Sequence, residues 1–337
     1  MFDFQVCCGF KDLRIWLVTG RGRKLRKSMQ NSEDDNRNNQ SGACSSQSAR
    51  SQEKSPNPQC HANTSRIDPY CENEIWECIK ESKVQRALDP LKPINEPTPA
   101  DRDKFLKVVC ISDTHEQLDK FKERGIPDGD ILIHAGDFVN QGNSEKIEEF
   151  NQILGTLPHR TKIVVAGNHE LGFDPIEKIE MRNLSDVGQG TKDGYKLLTN
   201  AHYLQENFLI VNGVKFYGAS NHPLPSYPFY TARGQEMQYA WSKIPANTDV
   251  LITHTPPLGY MDTFTSNWGP ERWGCKDLLT VVERIKPKFH VFGHVHEQYG
   301  VQSNGDTYFI NAAQCEKNNT VGNHMPIVFY IEKKSKE

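Results

Sequence analysis

The sequence predicts an α/β fold in which two sheets form the core and helices flank them. Short apolar runs rich in Val and Ile have the length of buried parallel strands, and they alternate with stretches of helical periodicity. The middle and the end of the chain instead contain hairpin-like and strand-like segments. A mixed core of two sheets accommodates both kinds of segment.

Five buried strands and two helices are predicted from these runs. The strands occupy residues 106–111, 131–135, 162–166, 249–252 and 289–292, and the helices occupy residues 144–154 and 276–285. Residues 208–217 read as a hairpin, because Asn212-Gly213 favours a tight turn between two strands. Residues 307–311 and 326–331 are predicted to form the last strands.

Composition divides the chain into an amino-terminal extension, residues 1–100, and a folded domain, residues 105–331. Residues 28–67 are nearly all polar or charged and cannot bury enough apolar surface to offset their ordering entropy, so we expect the extension to be largely disordered. Residues 72–89 carry apolar side chains at roughly helical spacing, which predicts a docking helix. A Pro-containing linker, residues 90–99, leads into the first strand.

Residues 1–27 differ from the rest of the extension. They combine apolar side chains, the adjacent Cys7 and Cys8, and seven basic against two acidic side chains, a net charge of +5. Such a segment can make a peripheral contact with an anionic membrane surface, with the two cysteines as acylation candidates. The alternative is an unstructured head with no membrane role.

Charge and cysteine content indicate the class of partner and the compartment. The formal net charge of -3 gives no indication of nucleic acid binding, so no nucleic acid partner is expected. The nine cysteines are scattered and odd in number, which does not fit a disulfide framework. We therefore expect a cytoplasmic protein, with peripheral membrane association through residues 1–27 left open.

Five short polar motifs follow the five predicted strands. They are Asp113-Thr-His115, Gly136-Asp137, Gly167-Asn168-His169-Glu170, Thr253-His254 and Gly293-His294-Val-His296. Loops that leave the carboxyl ends of strands in an open α/β sheet converge on one crevice, so we expect these side chains to meet.

Together the motifs predict a site for two divalent metal ions. The first ion takes Asp113, His115, Asp137 and His296, and the second takes Asp137, Asn168, His254 and His294. Asp137 is placed to bridge the ions with its two oxygens. Oxygen and imidazole ligands without thiolate suit Mn, Fe or Zn, and the sequence does not choose between them. Such a pair of ions lowers the pKa of a bridging water and binds a phosphoryl group for in-line attack.

The sequence around these motifs resembles the calcineurin-like metallophosphoesterase superfamily. The resemblance is carried by the strings VVCISDTH, GDILIHAGDF, KIVVAGNHELGFD, THTPPLGYMD and HVFGHVHEQYG. These look like the animal metallophosphoesterase-domain-containing proteins related to class III cyclic nucleotide phosphodiesterases. The similarity covers roughly residues 105–331, and it implies a four-layer α-β-β-α sandwich and the same assignment of the seven ligands.

The resemblance also implies roles for residues beside the ions. His169 would lie next to the scissile phosphate with Asn168, and it would protonate the leaving oxygen. Asp137 would act in catalysis as the bridging ligand, and Glu170 would orient an imidazole. His222 falls in a loop after a strand-like segment and is expected to line the substrate cleft, with loop packing as the alternative.

These expectations indicate a dinuclear-metal phosphodiesterase that acts on a small-molecule substrate, a cyclic nucleotide or another nucleotide phosphodiester. The predicted chemistry is attack of a metal-bridged hydroxide at phosphorus. A phosphomonoesterase or protein phosphatase would use the same metals and is one alternative. A weakly active nucleotide-binding scaffold is the other, and the sequence leaves the oligomeric state open.

Overall fold

The computed structural model describes residues 71–266 and 269–335 of the chain. The expected disorder of residues 28–67 and the membrane contact expected of residues 1–27 lie outside these ranges. No helix within the described ranges is long and apolar enough to cross a membrane.

Strands and helices alternate along much of the described chain. The helices are α1 (Glu72–Ile79), α2 (Leu118–Gly125), α3 (Ser144–Thr156), α4 (Gln235–Ser242) and α5 (Lys276–Ile285). The strands are β1 (Arg86–Leu88), β2 (Phe105–Ile111), β3 (Ile131–His134), β4 (Thr161–Val164), β5 (His202–Tyr203), β6 (Asn207–Val211), β7 (Val214–Ala219), β8 (Val250–Thr253), β9 (Thr263–Ser266), β10 (Gly269–Arg272), β11 (Phe289–Phe292), β12 (Gly300–Ser303), β13 (Tyr308–Asn311), β14 (Cys315–Glu316), β15 (Thr320–Val321) and β16 (Ile327–Glu332).

Most of these strands belong to two mixed sheets. One sheet has five strands in the order β16-β2-β3-β4-β5, and the other has seven in the order β1-β12-β13-β11-β8-β7-β6. Strands β2 to β5 are parallel, and β16 pairs with β2 antiparallel. In the larger sheet β7, β8, β11 and β13 are parallel. Strands β9 and β10 form a separate hairpin, as do β14 and β15.

The two sheets face each other across an apolar core, and helices cover their outer faces. In β2, Val108 and Cys110 lie in the core between the sheets, while Val109 and Ile111 belong to the cluster under α2 and α3. Because alternate side chains of a strand point to opposite faces, a strand buried on both sides must be apolar throughout. Helices α1, α4 and α5 cover the seven-stranded sheet. The fold is therefore the four-layer α-β-β-α sandwich that the sequence predicts.

The segment predicted as one helix over residues 72–89 is a shorter helix followed by a strand. Helix α1 ends at Ile79, a 3-10 turn follows at Lys80–Ser82, and β1 pairs with β12 at the edge of the seven-stranded sheet. All three residues of β1 are exposed, so their side chains gave no strand pattern. The partner decides the conformation here, because pairing satisfies backbone groups that an open sheet edge would leave free.

The packed part of the chain also begins earlier than the boundary predicted at residue 105. Trp76 is only 4% exposed, and it lies so close to Gly259 that a Cβ there would collide with its ring. Ile94 joins the core between the sheets and forms a bridge to Phe329. Residues 71–104, which include the segment predicted as a docking helix, are thus part of the packed structure.

Candidate dinuclear metal site

The polar motifs lie where five strands end, and their side chains form two groups. The first group is Asp113, His115 and His296, and the second group is Asp137, His254 and His294. Within each group, one possible ligand atom of each residue lies within 4.8 Å of those of the other two. The structure therefore brings six of the seven predicted ligands together, and it places Asn168 beside the second group.

In the first group two imidazoles face one carboxylate. His296 Nε2 lies 3.2 Å from Asp113 Oδ1 and 3.3 Å from His115 Nε2. Each ring places its other nitrogen against an oxygen. His296 Nδ1 contacts the carbonyl oxygen of Glu316 at 3.0 Å, and His115 Nδ1 contacts Asn140 Oδ1 at 3.2 Å. These outer contacts orient His296 Nε2 toward Asp113 and His115 Nε2 toward His296 Nε2.

The second group is built around His254, which is fully buried. Its Nε2 atom lies 3.1 Å from Asp137 Oδ2 and 3.2 Å from Asn168 Oδ1. Its Nδ1 atom contacts the carbonyl oxygen of Ala135 at 2.9 Å. The ring of His294 packs against that of His254, with 5.0 Å between their centroids.

Asp137 lies between the two groups. Its Oδ2 atom, 3.1 Å from His254 Nε2, is also 4.0 Å from His115 Nε2. Burial opposes ionisation of this carboxyl, but the imidazoles of His254 and His169 hold its pKa well below the usual range. Asp137 is therefore a carboxylate that faces both groups, as a bridging ligand must.

The possible ligand atoms of the second group fit a divalent cation, because they are lone-pair-bearing nitrogen and oxygen atoms that point toward one another. When His254 carries its proton on Nδ1, bonded to Ala135, its Nε2 lone pair faces the oxygens of Asp137 and Asn168. A positive charge, either a proton or a metal ion, must lie between such acceptors. Burial disfavours the proton, yet the Asp137 carboxylate raises the pKa of His254 to about 10. Nitrogen and oxygen ligands of this kind suit Mn, Fe or Zn.

Several residues of these groups have left-handed backbone conformations. The φ angles are +51° at Asp113, +42° at His115, +53° at Asp137 and +70° at His294. Such conformations are unfavourable for side chains other than Gly, and they cluster at functional sites. Backbone hydrogen bonds between the turns fix two of these conformations. The Asp113 N–H donates to the carbonyl oxygen of Gly136 at 2.9 Å, and the His115 N–H donates to the carbonyl oxygen of Asp137 at 3.1 Å.

Glycines in the motifs allow the turns to approach the carboxylates. A Cβ atom at Gly293 would collide with the side chain of Asp113, and one at Gly167 would collide with that of Asp137. The glycines of the Gly-Asn-His-Glu and Gly-His-Val-His motifs are therefore required by close packing of backbone against ligand.

His169 lies beside the two groups rather than in either. Its Nδ1 atom contacts the carbonyl oxygen of Asn140 at 2.7 Å, and its backbone N–H donates to Asp137 Oδ1 at 2.9 Å. The ring stands edge-on to that of His115, with 4.9 Å between centroids. Since Nδ1 is occupied, Nε2 is the ring nitrogen left to contact a substrate.

Glu170 has a different role from the one implied by the resemblance. Its two oxygens accept hydrogen bonds at 2.5 to 3.1 Å from four backbone N–H groups, those of Asp137, Phe138, Val139 and Gly167. Burial and the Asp137 carboxylate raise the pKa of Glu170 to about 8, and the N–H groups oppose this rise. Glu170 therefore ties together the turns that carry the ligands, and its hydrogen bonds in the described part of the chain go to backbone N–H groups rather than to an imidazole. Its part in catalysis stays a prediction.

His222 is also placed differently from the substrate contact that was predicted. The residue is fully buried, and both ring nitrogens are used within its own loop. Nε2 contacts the carbonyl oxygen of Pro228 at 2.7 Å, and Nδ1 accepts the N–H of Leu224 at 3.1 Å. Loop packing, the alternative reading of the sequence, describes this residue.

Asn140 is a site residue that the sequence reasoning missed. Its side chain contacts His115 of the first group, and its carbonyl oxygen contacts His169. The available signal was its position three residues after Asp137, in the same strand-end turn. An Asn in such a turn is common for local reasons, so the motif alone does not reveal the role.

Comparisons with known proteins agree with this geometry. Residues 106–298, which include all five motifs, match the family described as calcineurin-like phosphoesterase. The UPF0046 protein K07C11.7 of Caenorhabditis elegans is 54% identical over 276 residues, which are 81% of this chain and 92% of that protein. Metallophosphoesterase domain-containing protein 1 of Homo sapiens is 41% identical over 240 residues, which are 66% of this chain and 71% of that protein.

A solved structure of phosphopantetheinyl hydrolase from Mycobacterium tuberculosis is similar at a TM-score of 0.44 and 14% identity, covering 63% of this chain and 90% of that one. The family match extends over more than half of the chain, and the curated relatives extend it further. The chain therefore belongs to the calcineurin-like phosphoesterase family, within the metallophosphoesterase superfamily.

Proposed function

We propose that this protein is a dinuclear-metal phosphodiesterase that hydrolyses cyclic or other nucleotide phosphodiesters. The observation that carries the proposal is the Asp137 carboxylate, which faces one imidazole from each ligand group. Asp113, His115 and His296 would hold one ion, and Asn168, His254 and His294 would hold the other, with Asp137 shared. When bound, two such ions lower the pKa of a shared water and neutralise charge on the phosphoryl oxygens.

His169 is the residue that we propose as general acid. The contact between its Nδ1 and the Asn140 carbonyl fixes the ring, so a proton on Nε2 would be directed to the leaving oxygen. The hydrogen bond from its backbone N–H to Asp137 Oδ1 keeps His169 next to the shared carboxylate. A positioned acid of this kind contributes about 10²- to 10⁴-fold to the rate.

The charges around the ligands favour a diester over a monoester. Burial opposes ionisation of the Asp113 and Asp137 carboxyls, and among the charged groups that the structure describes the imidazoles of His254, His296 and His169 act on them most strongly. A phosphodiester carries a single negative charge, whereas a monoester dianion is commonly bound by guanidinium or ammonium groups. The neutral oxygen of Asn168 and the imidazole of His169 are the proposed contacts to the phosphate.

An aromatic side chain supports the nucleotide part of the proposal. The ring of Tyr227, which is half-buried, lies 6.2 Å from that of His169. An aromatic ring at such a position can stack with any nucleotide base, because every base has a flat π-face.

A substrate panel with defined metal content tests the proposal. The purified full-length protein would be loaded with Mn, Fe or Zn and assayed on cyclic nucleotides, bis(p-nitrophenyl) phosphate, p-nitrophenyl phosphate and a phosphopeptide. We expect metal-dependent turnover with the highest kcat/KM on diesters. Preference for the monoester or the phosphopeptide would contradict the diester assignment. Tight nucleotide binding without metal-dependent turnover would contradict the enzymatic role.

A further inference from the structure

The ring of His294 is held differently from the other imidazoles of the site. The other four rings each place Nδ1 against an oxygen atom, namely His115, His169, His254 and His296. His294 makes no side-chain hydrogen bond to any residue that the structure describes. Its backbone N–H donates to the Asp113 carboxylate at 3.0 and 3.1 Å. An imidazole ligand normally gains its orientation from a partner on its second nitrogen, so another contact must set the angle of this ring.

Two aromatic contacts take that place. The His294 ring packs against His254 on one side, and the indole of Trp273 lies 5.4 Å from it with an angle of 40° between the planes. Trp273 is in turn stacked on Phe264, with 4.0 Å between centroids and an angle of 20°. Its indole nitrogen lies 3.4 Å from Glu271 Oε2. The indole is thus fixed by Phe264 and Glu271, and it forms a wall against which the His294 ring packs.

This wall is anchored by helix α1. The backbone N–H of Arg272 donates to Asn73 Oδ1 at 2.9 Å, and the Asn73 amide donates to the carbonyl oxygen of Pro270 at 3.3 Å. The Arg272 guanidinium lies over the ring of Trp76 at 4.7 Å and pairs with the buried Asp262. The residue next to Trp273 is therefore held by two side chains of α1.

We propose that Trp273 is a positioning residue that orients His294 toward the second metal ion, and that α1 secures Trp273 through Arg272. The proposal rests on the dinuclear site of the proposed function. It means that a segment before the family-matched residues 106–298 reaches a metal ligand through two contacts. Loss of a residue that orients a ligand typically lowers metal affinity by about 10- to 100-fold.

Binding of Mn²⁺ alone to the full-length protein tests this without an activity assay. Trp273→Ala removes the wall, Trp273→Phe keeps a ring in its place, and His254→Ala serves as the reference for loss of a second-group ligand. Tyr239→Ala is the matched control, because it removes a 69% exposed aromatic side chain from the outer helix α4. Equilibrium dialysis would give the stoichiometry and affinities, and electron paramagnetic resonance would distinguish coupled from isolated Mn²⁺.

For Trp273→Ala we expect one ion to bind about 10- to 100-fold more weakly, with the other unchanged, and a spectrum that changes from coupled to isolated Mn²⁺ as in His254→Ala. Trp273→Phe should restore most of the affinity, and Tyr239→Ala should match the unaltered protein. Equal weakening of both ions, or wild-type affinities in Trp273→Ala, would overturn the positioning role.

The contribution of α1 is tested with Asn73→Ala. We expect a smaller loss of affinity for the same ion, and an unchanged isotherm would overturn the coupling to α1. Failure of the dinuclear site looks different, because the unaltered protein would then bind fewer than two Mn²⁺ ions, and failure of the diester assignment would appear only in the substrate panel. Two bound ions in the unaltered protein and in Trp273→Ala alike would leave the dinuclear site standing and remove only this inference.

Discussion

The two ligand groups present similar atoms, but the protein supports them in different ways. In the first group, His115 is oriented by the side-chain oxygen of Asn140, and His296 by the carbonyl oxygen of Glu316 in the short strand β14. In the second group, His254 is oriented by the backbone of a buried strand end, and His294 by ring packing. A hydrogen bond fixes a ring through one polar atom, whereas packing fixes it through volume. The first ion should therefore respond to loss of single polar groups, and the second to loss of bulk.

Asp137→Asn should have the largest effect, because Asp137 faces both groups and its loss should affect both of them alike. The change removes a charge shared by two cations, so both occupancies should fall together. We expect turnover to drop by several orders of magnitude. Metal analysis and kcat on a diester substrate measure the two effects, with the exposed Asp119→Asn as control. Two ions per chain with normal turnover would contradict the bridging role.

His169→Ala should leave both groups intact while slowing the reaction. Its ring contacts Asn140 and His115 but belongs to neither group. For a substrate with a poor alkoxide leaving group we expect a loss of about 10²- to 10⁴-fold, and a much smaller loss for a nitrophenolate, which needs little protonation.

Steady-state rates on the two kinds of substrate, with metal content measured in parallel, check this prediction. Equal losses for both leaving groups would assign His169 to phosphate positioning. Loss of a metal ion would move it among the ligands.

Glu170→Gln should weaken metal binding by both groups to the same degree, since the Glu170 carboxylate holds the turns of Asp137 and Gly167 together. An amide NH₂ in place of one oxygen would face backbone N–H donors that have no other acceptor there. The cost is about 1–3 kcal/mol of unfolding free energy. Urea unfolding in the presence of a chelator measures it at a pH above 8, where Glu170 with its pKa of about 8 is ionised, and the exposed Glu148→Gln is the control. An unchanged free energy of unfolding, with loss of only one ion, would contradict the role of Glu170 in holding the turns together.

Asn140→Ala should have the smallest effect and should sharpen the comparison most. It removes the oxygen beside His115 Nδ1 but keeps the backbone carbonyl that contacts His169. We expect the first ion to bind about tenfold more weakly and the second to be unaffected. Mn²⁺ titration gives both affinities. A loss confined to the second ion would show that the outer contacts of the two groups are not independent.

The strand ends were predictable because their signal is local. Strand β11 and helix α5 have the predicted bounds, since an apolar run between polar motifs and a 3.6-residue periodicity are visible in the sequence itself. The turn at Asn212-Gly213 is likewise present, with φ of +48° and +78°. The approach of the ligand side chains followed from the rule that strand ends converge.

The roles of Glu170, His222 and β1 were not predictable for a shared reason. Each depends on a partner that is remote in sequence or on backbone groups that every residue carries. Glu170 accepts hydrogen bonds from backbone N–H groups of the turn after β3, and β1 pairs with residues more than 200 positions away. The sequence predicts which residues are polar, but not which backbone groups will lie against them.

The left-handed backbone at Asp113, His115, Asp137 and His294 bears on how long the protein survives without metal. Each such conformation costs about 1–3 kcal/mol, which is large beside the roughly 5–15 kcal/mol that stabilises a typical domain. Bound cations would offset the repulsion of the converging acceptors and hold these turns closed. In a chelating medium the turns should therefore open first and become the earliest points of proteolytic cleavage, long before the sheets behind them unfold.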